Sequence, residues 1–116
     1  MGKLEHYRQC IEKLLLEHGQ NPPVNGDIEV EVIFDQKRDR YVVVDLGWDQ
    51  DCRVYNCFLH LDIKNGQIWI QRNQTDQSIA EELVQMGVPK EDIVFGLKPP
   101  YVREYTGFGI DKFSKS

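Results

Sequence analysis

The stretch Leu59-His60-Leu61-Asp62-Ile63-Lys64-Asn65-Gly66-Gln67-Ile68-Trp69-Ile70 decides the fold. Apolar residues alternate on both sides of Asn65-Gly66. A two-residue type I′ turn needs positive φ at both central positions, which Asn and Gly tolerate. The stretch reads as a β-hairpin, with a long strand over Arg53 to Ile63 returning as Gln67 to Arg72. Tyr55, Cys57, Leu59, Leu61 and Ile63 fall on one side of the long strand by alternation.

Working back from the hairpin, Asp49-Gln50-Asp51 reads as a turn and Arg40 to Trp48 as another strand. Val42, Val44, Leu46 and Trp48 share one face of it, and Tyr41, Val43, Asp45 and Gly47 the other. Across the polar connection Asp35 to Asp39, Ile28, Val30, Val32 and Phe34 alternate with Glu29, Glu31 and Asp35, so a first strand begins at Asp27. Before it, Leu4, Tyr7, Ile11, Leu14 and Leu15 recur at three- and four-residue spacings and mark an amphipathic helix. Gly19, Pro22 and Pro23 end it, with Gly19 available for left-handed angles.

Working forward, Thr75 is placed to cap a second helix, and Asp76 complements its dipole. Ile79, Leu83, Val84 and Met86 form its apolar stripe, with Gly87 as C-terminal cap and Pro89 beyond. Lys90 to Ile93 reads as a short helical turn. Pro99-Pro100 interrupts regular structure, Tyr101 to Tyr105 reads as a short extended piece, and Asp111 to Ser116 as a frayed end. The expected fold is α+β: an N-terminal helix, a four-stranded antiparallel meander sheet, and a C-terminal helix packed on one sheet face. The other face is left to solvent or to a second subunit. A single domain spans residues 1–116, with about six flexible residues at its end.

The chain has 116 residues, 41% of them hydrophobic and 28% charged, a globular balance. A net charge of −5 opposes a stand-alone DNA-binding module, because acidic protein repels phosphate, while leaving contact with nucleic acid through a partner open. Three cysteines, the charged start from Met1 to Leu16 and the lack of a long apolar run point to a reduced, cytoplasmic protein without membrane spans.

His60 and Asp62 lie two apart on one strand face, a spacing that suits either the start of a metal site or general-base pair, or a plain polar pair on the outer face. Cys52 and Cys57 lack CxxC spacing, and His6 and His18 lie on the distant helix, so no four-ligand zinc set is legible. Neither a nucleophile elbow nor a phosphate loop is present, so no enzyme activity, metal or cofactor is expected. The segment from Trp69 to Thr75 carries Gln71, Arg72, Asn73 and Gln74, groups that suit recognition as well as a solvated connection. Arg53 and Arg72 fall on neighbouring strands and suggest a local basic patch. If Ile68 and Ile70 face the core, Trp69 lies on the open face. With Tyr41 and Val43 beside it, that face is too apolar to stay bare, and dimerisation is expected to cover it. The candidate interaction surface is thus Tyr41, Arg53, Trp69, Gln71, Arg72, Asn73 and Gln74.

A long ordered pattern runs through most of the chain: Leu4-Glu5-His6-Tyr7-Arg8, Ile28 to Asp35, Arg38-Asp39, Asp45-Leu46-Gly47-Trp48, Arg53 to Cys57, His60 to Gly66, Ile68 to Thr75, and Glu82 to Val94. This pattern resembles the XisI family, the fdxN-element excision controlling factors of cyanobacteria. The resemblance implies a non-catalytic accessory role beside site-specific excision of a DNA element, exerted through an XisH-like partner. It supplies no catalytic residues. The rival readings are a direct nucleic-acid-binding module and a small-molecule or metal-dependent enzyme.

Overall fold

The computed structural model describes residues 2–20 and 27–110. The Asn65-Gly66 turn forms as the sequence requires, with φ of 56° and 76°, and it joins β3 (Cys52–Lys64) to β4 (Gln67–Asn73). Upstream lie β1 (Asp27–Asp35) and β2 (Arg40–Asp49), and the four strands pair antiparallel in chain order. The meander is not the whole sheet. A fifth strand, β5 (Ile93–Phe95), pairs parallel with β4. The sheet is therefore five-stranded and mixed. A parallel neighbour requires a crossover, and α2 (Ile79–Gln85) supplies it.

One sheet face is covered by α1 (Lys3–His18) and α2. Tyr7, Cys10, Ile11, Leu14 and Leu15 of α1 are buried, so Cys10 joins the stripe and Leu4 stays outside it. They pack on Tyr41, Val43, Leu59, Leu61, Ile68 and Ile70 from the strands and on Ile79 and Leu83 from α2. Tyr41 and Val43 thus line the core, not the open face: Tyr41 has no exposed surface, and its hydroxyl donates to Asp39 at 3.0 Å. Val42, Val44, Leu46 and Trp48 are the outer residues of β2.

Alternation along β3 is broken by one residue. Val43 pairs with Leu59 and Val44 with Cys57, so Phe58 is an inserted bulge. Leu59, Leu61 and Ile63 keep the core side expected of them, but Tyr55 and Cys57 fall on the outer side. A second irregularity leaves Gln71 as an extra residue of β4 between Ile70, which pairs with Leu61, and Arg72, which pairs with His60.

The ends of elements also differ from expectation. The helix α2 starts at Ile79, and Ser78 caps it by accepting from the Glu81 backbone N–H at 3.3 Å. Thr75 instead closes a tight turn, its hydroxyl donating to Asn73 Oδ1 at 2.6 Å. Gly87 follows the helix at φ 99°, as a C-terminal cap does. Gly19 does not use left-handed angles: its φ is −82°, and a side chain there would press on Val32. Lys90–Asp92 is a 3-10 turn. The segment after Pro99-Pro100 is helical, α3 (Pro100–Arg103), because proline is at home in a first turn. The expected frayed end at residues 111–116, and Pro22 and Pro23, lie outside the described residues.

Polar ties close the fold across long sequence distances. The Tyr7 hydroxyl donates to Asp92, which is also 3.2 Å from Lys3 Nζ. Burial and the neighbouring carboxylate push the Tyr7 hydroxyl pKa well above its ordinary value. Buried Gln67 donates to the backbone carbonyls of Glu91 at 3.0 Å and Ile110 at 2.7 Å, holding the strand after α2 against β4.

Candidate functional site

Two surfaces collect the chemistry-bearing residues. The first is the outer sheet face, which α1 and α2 leave bare. Because partners in register share a face, the rows crossing it can be read from the pairing. Asp27, Trp48 and Arg53 form one row; Glu29, Leu46 and Tyr55 the next; Glu31, Val44 and Cys57 a third; and Ile33, Val42, His60 and Arg72 a fourth. Tyr55 is 72% exposed, Trp48 50% and Ile33 46%. The Arg53 guanidinium lies 5.5 Å from the centre of the Trp48 ring. The surface is thus apolar in the middle, acidic along β1, and basic towards β3 and β4.

At the β4 side this face is closed. Trp69 does point away from Ile68 and Ile70, but it is only 6% exposed. Lys64 Nζ lies 4.6 Å from its ring centre on one side and the Arg103 guanidinium 5.1 Å away on another. Arg103 in turn donates to the backbone carbonyls of Phe95 at 3.0 Å, Lys98 at 2.9 Å and Gly96 at 3.2 Å. A side chain at Gly96 would strike Gln71 and Trp69, so the loop after β5 lies directly on them. Trp69 is therefore not an exposed anchor: the α3 segment has already covered it.

His60 and Asp62 do come together, with Nε2 to Oδ1 at 2.8 Å. Asp62 is almost fully buried and is shared: Gln71 donates to its other oxygen at 3.1 Å, and Arg40 lies 3.8 Å away. Gln71 is thereby committed to a structural carboxylate. Among the described residues no group of three or more His, Cys, Asp or Glu side chains is arranged to hold a metal ion. Arg53 and Arg72 stand on neighbouring strands, but Arg72 is level with His60, seven residues along β3 from Arg53, which is roughly 20 Å. They mark two ends of a basic column and form no single patch.

The second surface is a hollow of about 470 Å³ at the rim of the helical face. It is lined by His18 at the end of α1, Asp45 of β2, Asn56 and Phe58 of β3, and Gln74, Thr75, Asp76 and Gln77 from the β4–α2 connection. It lies beside the Phe58 bulge where β4 ends at Asn73, with the Gln74 backbone N–H still donating to the Phe58 carbonyl at 2.8 Å. Asn56 donates to Gln74 Oε1 at 2.8 Å, and Arg72 Nη2 is 3.5 Å from Asn56 Oδ1. Asn73 lies beneath, its Oδ1 accepting from the Thr75 backbone N–H at 3.0 Å. Burial pushes the Asp45 carboxyl above the usual carboxylate range. Its Oδ1 is shut from solvent and has no hydrogen-bond partner among the described residues. Of the expected residues, the structure brings Gln74 into the lining of this hollow with Asn73 bracing the turn beneath it, leaves Arg53 and Arg72 on the outer face, and places Tyr41, Trp69 and Gln71 in structural roles. Asp45 and Asn56 were missed. The signal available for Asp45 was a carboxylate inside the apolar run Val42-Val43-Val44-Asp45-Leu46.

A five-stranded mixed sheet with α1 and α2 packed on one face defines a class of small α+β proteins that other solved chains share. One is the crystal structure of a XisI-like protein from Anabaena variabilis, 44% identical, with a TM-score of 0.88 over 95% of this chain and 100% of that one. Another is the fdxN element excision controlling factor XisI from the same organism, 33% identical, with a TM-score of 0.84 over the same shares. The family model described as XisI protein matches residues 1–110. The chain belongs to the XisI family. Among curated proteins none matches. Among the described residues no helix is long and apolar enough to cross a membrane.

Proposed function

We propose that the chain is a non-catalytic controlling factor in excision of a DNA element, acting by contact with an XisH-like partner. The family membership and the neighbour whose name is fdxN element excision controlling factor support the setting. The observation that carries a contact role is the hollow. The Asp45 carboxylate oxygen has no donor among the described residues, and an N–H group brought by another molecule would supply one. Asp76 adds a second carboxylate to the lining, beside the amides of Asn56, Gln74 and Gln77, so a lysine or arginine side chain of a protein partner fits it. Acidic lining repels phosphate, which favours this reading over direct DNA binding.

The test is co-expression with the XisH-like product and co-purification of the two. The expected outcome is a complex that survives purification and that Asp45→Asn weakens by roughly tenfold or more, as loss of a buried charged contact does. Failure of the wild-type chains to associate sinks the proposal.

A further inference from the structure

The open sheet face described above has a charge pattern with a geometric consequence. Asp27, Glu29 and Glu31 project from β1 on this face, and Arg53 and Arg72 from β3 and β4, with Val42, Val44, Leu46 and Tyr55 between them. None of these five charged side chains forms an ion pair among the described residues; Arg53 lies over the Trp48 ring and donates to the Gly47 carbonyl at 3.4 Å, and Arg72 donates to Asn56 Oδ1 at 3.5 Å. A face that is acidic along one side, apolar in the centre and basic along the other complements itself under a twofold rotation. An axis running along the strands between β2 and β3 lays β1 of each copy towards the β3–β4 side of the other. It brings Asp27, Glu29 and Glu31 towards Arg53 and Arg72 twice over, and packs the Trp48 and Tyr55 ends together.

We infer that this face is the interface of a homodimer, two sheets packed face to face, with Trp48 and Tyr55 as its anchors. Strand length and spacing make the open area roughly 30 Å by 15–20 Å, so two copies cover about 1,000 Å², near the lower limit for a specific interface. Covering it removes exposed aromatic surface, and the ionic rims fix one orientation. The α3 segment limits the interface on one side, since it already occupies the sheet over Trp69.

Sedimentation of the full chain up to about 100 µM tests this, a concentration suited to an interface of that size. The expected species has twice the 13.6 kDa chain mass at the high end. Glu31→Arg and Arg72→Glu are each expected to weaken association by roughly tenfold, and the two together to restore it. Both sites lie on the surface, so far-UV circular dichroism should be unchanged. Tyr55→Glu, at an equally exposed site, is expected to leave a folded monomer. A wild-type monomer throughout the range overturns the inference. So does a dimer indifferent to all three substitutions, or a double variant no better than the single ones. The hollow takes no part, so Asp45→Asn separates this result from the partner complex: it should leave the dimer intact.

Discussion

Asp39 illustrates how much one turn residue organises. It sits at φ 56° between β1 and β2, an angle that Asp tolerates better than most residues. Arg8 reaches it from α1 with Nε at 2.7 Å and Nη2 at 3.2 Å, and the Tyr41 hydroxyl adds a third bond. The Arg8 hydrogen bond is the main reason the Asp39 carboxyl is held below the usual carboxylate range, against the opposing effect of burial. The linkage sign follows. A folded value below the unfolded one contributes stability fully present above the ordinary carboxylate pKa, and that contribution is lost as pH falls through the folded value. Arg8→Ala is therefore expected to lower the denaturation midpoint at pH 7, and the gap from wild type should close as the pH is taken down from about 5 towards 2. Chemical denaturation at a series of pH values checks it. A gap independent of pH would mean that Arg8 acts through packing alone.

At the scale of elements, Arg103 is the side chain of α3 that ties it to the sheet. Arg103 bonds three carbonyls of the preceding loop and lies over Trp69. A planar guanidinium can do both at once; an ammonium cannot. Arg103→Ala is expected to release the segment, costing about 1–3 kcal/mol through unpaired carbonyls and lost stacking. Arg103→Lys should recover little of it. Hydrogen exchange should speed up selectively at residues 96–106, and tryptophan emission should shift to the red as Trp69 meets water. Uniform acceleration across the sheet would instead point to a global effect.

The strands β1 to β4 were legible because period-two alternation and the Asn-Gly turn are strong local signals. The strand β5 was not: three residues carry no period, and its partner is chosen by the crossover through α2. Phe58 escaped because an inserted apolar residue does not disturb an apolar run, yet that one insertion turned Tyr55 from the helical face to the open face. The cap at Ser78 was legible in principle, since Ser78 and Glu81 have capping-box spacing. Trp69 shows the opposite limit. Alternation gave its direction correctly, but only tertiary structure could reveal that a distant proline-led segment folds back over it.

For the whole molecule, the Tyr7–Asp92 contact joins α1 to the turn before β5. Tyr7 and Asp92 are both buried in the contact. Tyr7→Phe keeps the ring and removes one donor from a buried carboxylate, so it is expected to lower global stability by about 1–3 kcal/mol. Equilibrium urea unfolding followed by both fluorescence and circular dichroism should show one transition, shifted to lower denaturant with unchanged slope. The candidate site was partly legible for the same reason that the fold was. Gln74 follows directly on the end of a strand that the pattern located to within a residue. Asp45 and Asn56 join it as cross-strand partners whose register the Phe58 bulge sets, a feature that alternation alone does not reveal.

The bond between residues 7 and 92 also bears on how the protein is made. Synthesis delivers the first helix well before the carboxylate that anchors it and the strand that completes the sheet. Until then the apolar stripe of α1 has only a partial bed, and contacts this distant in sequence form slowly. Completion of the core must wait until translation has passed Phe95, and a chaperone that shields the emerging helix would act in that interval.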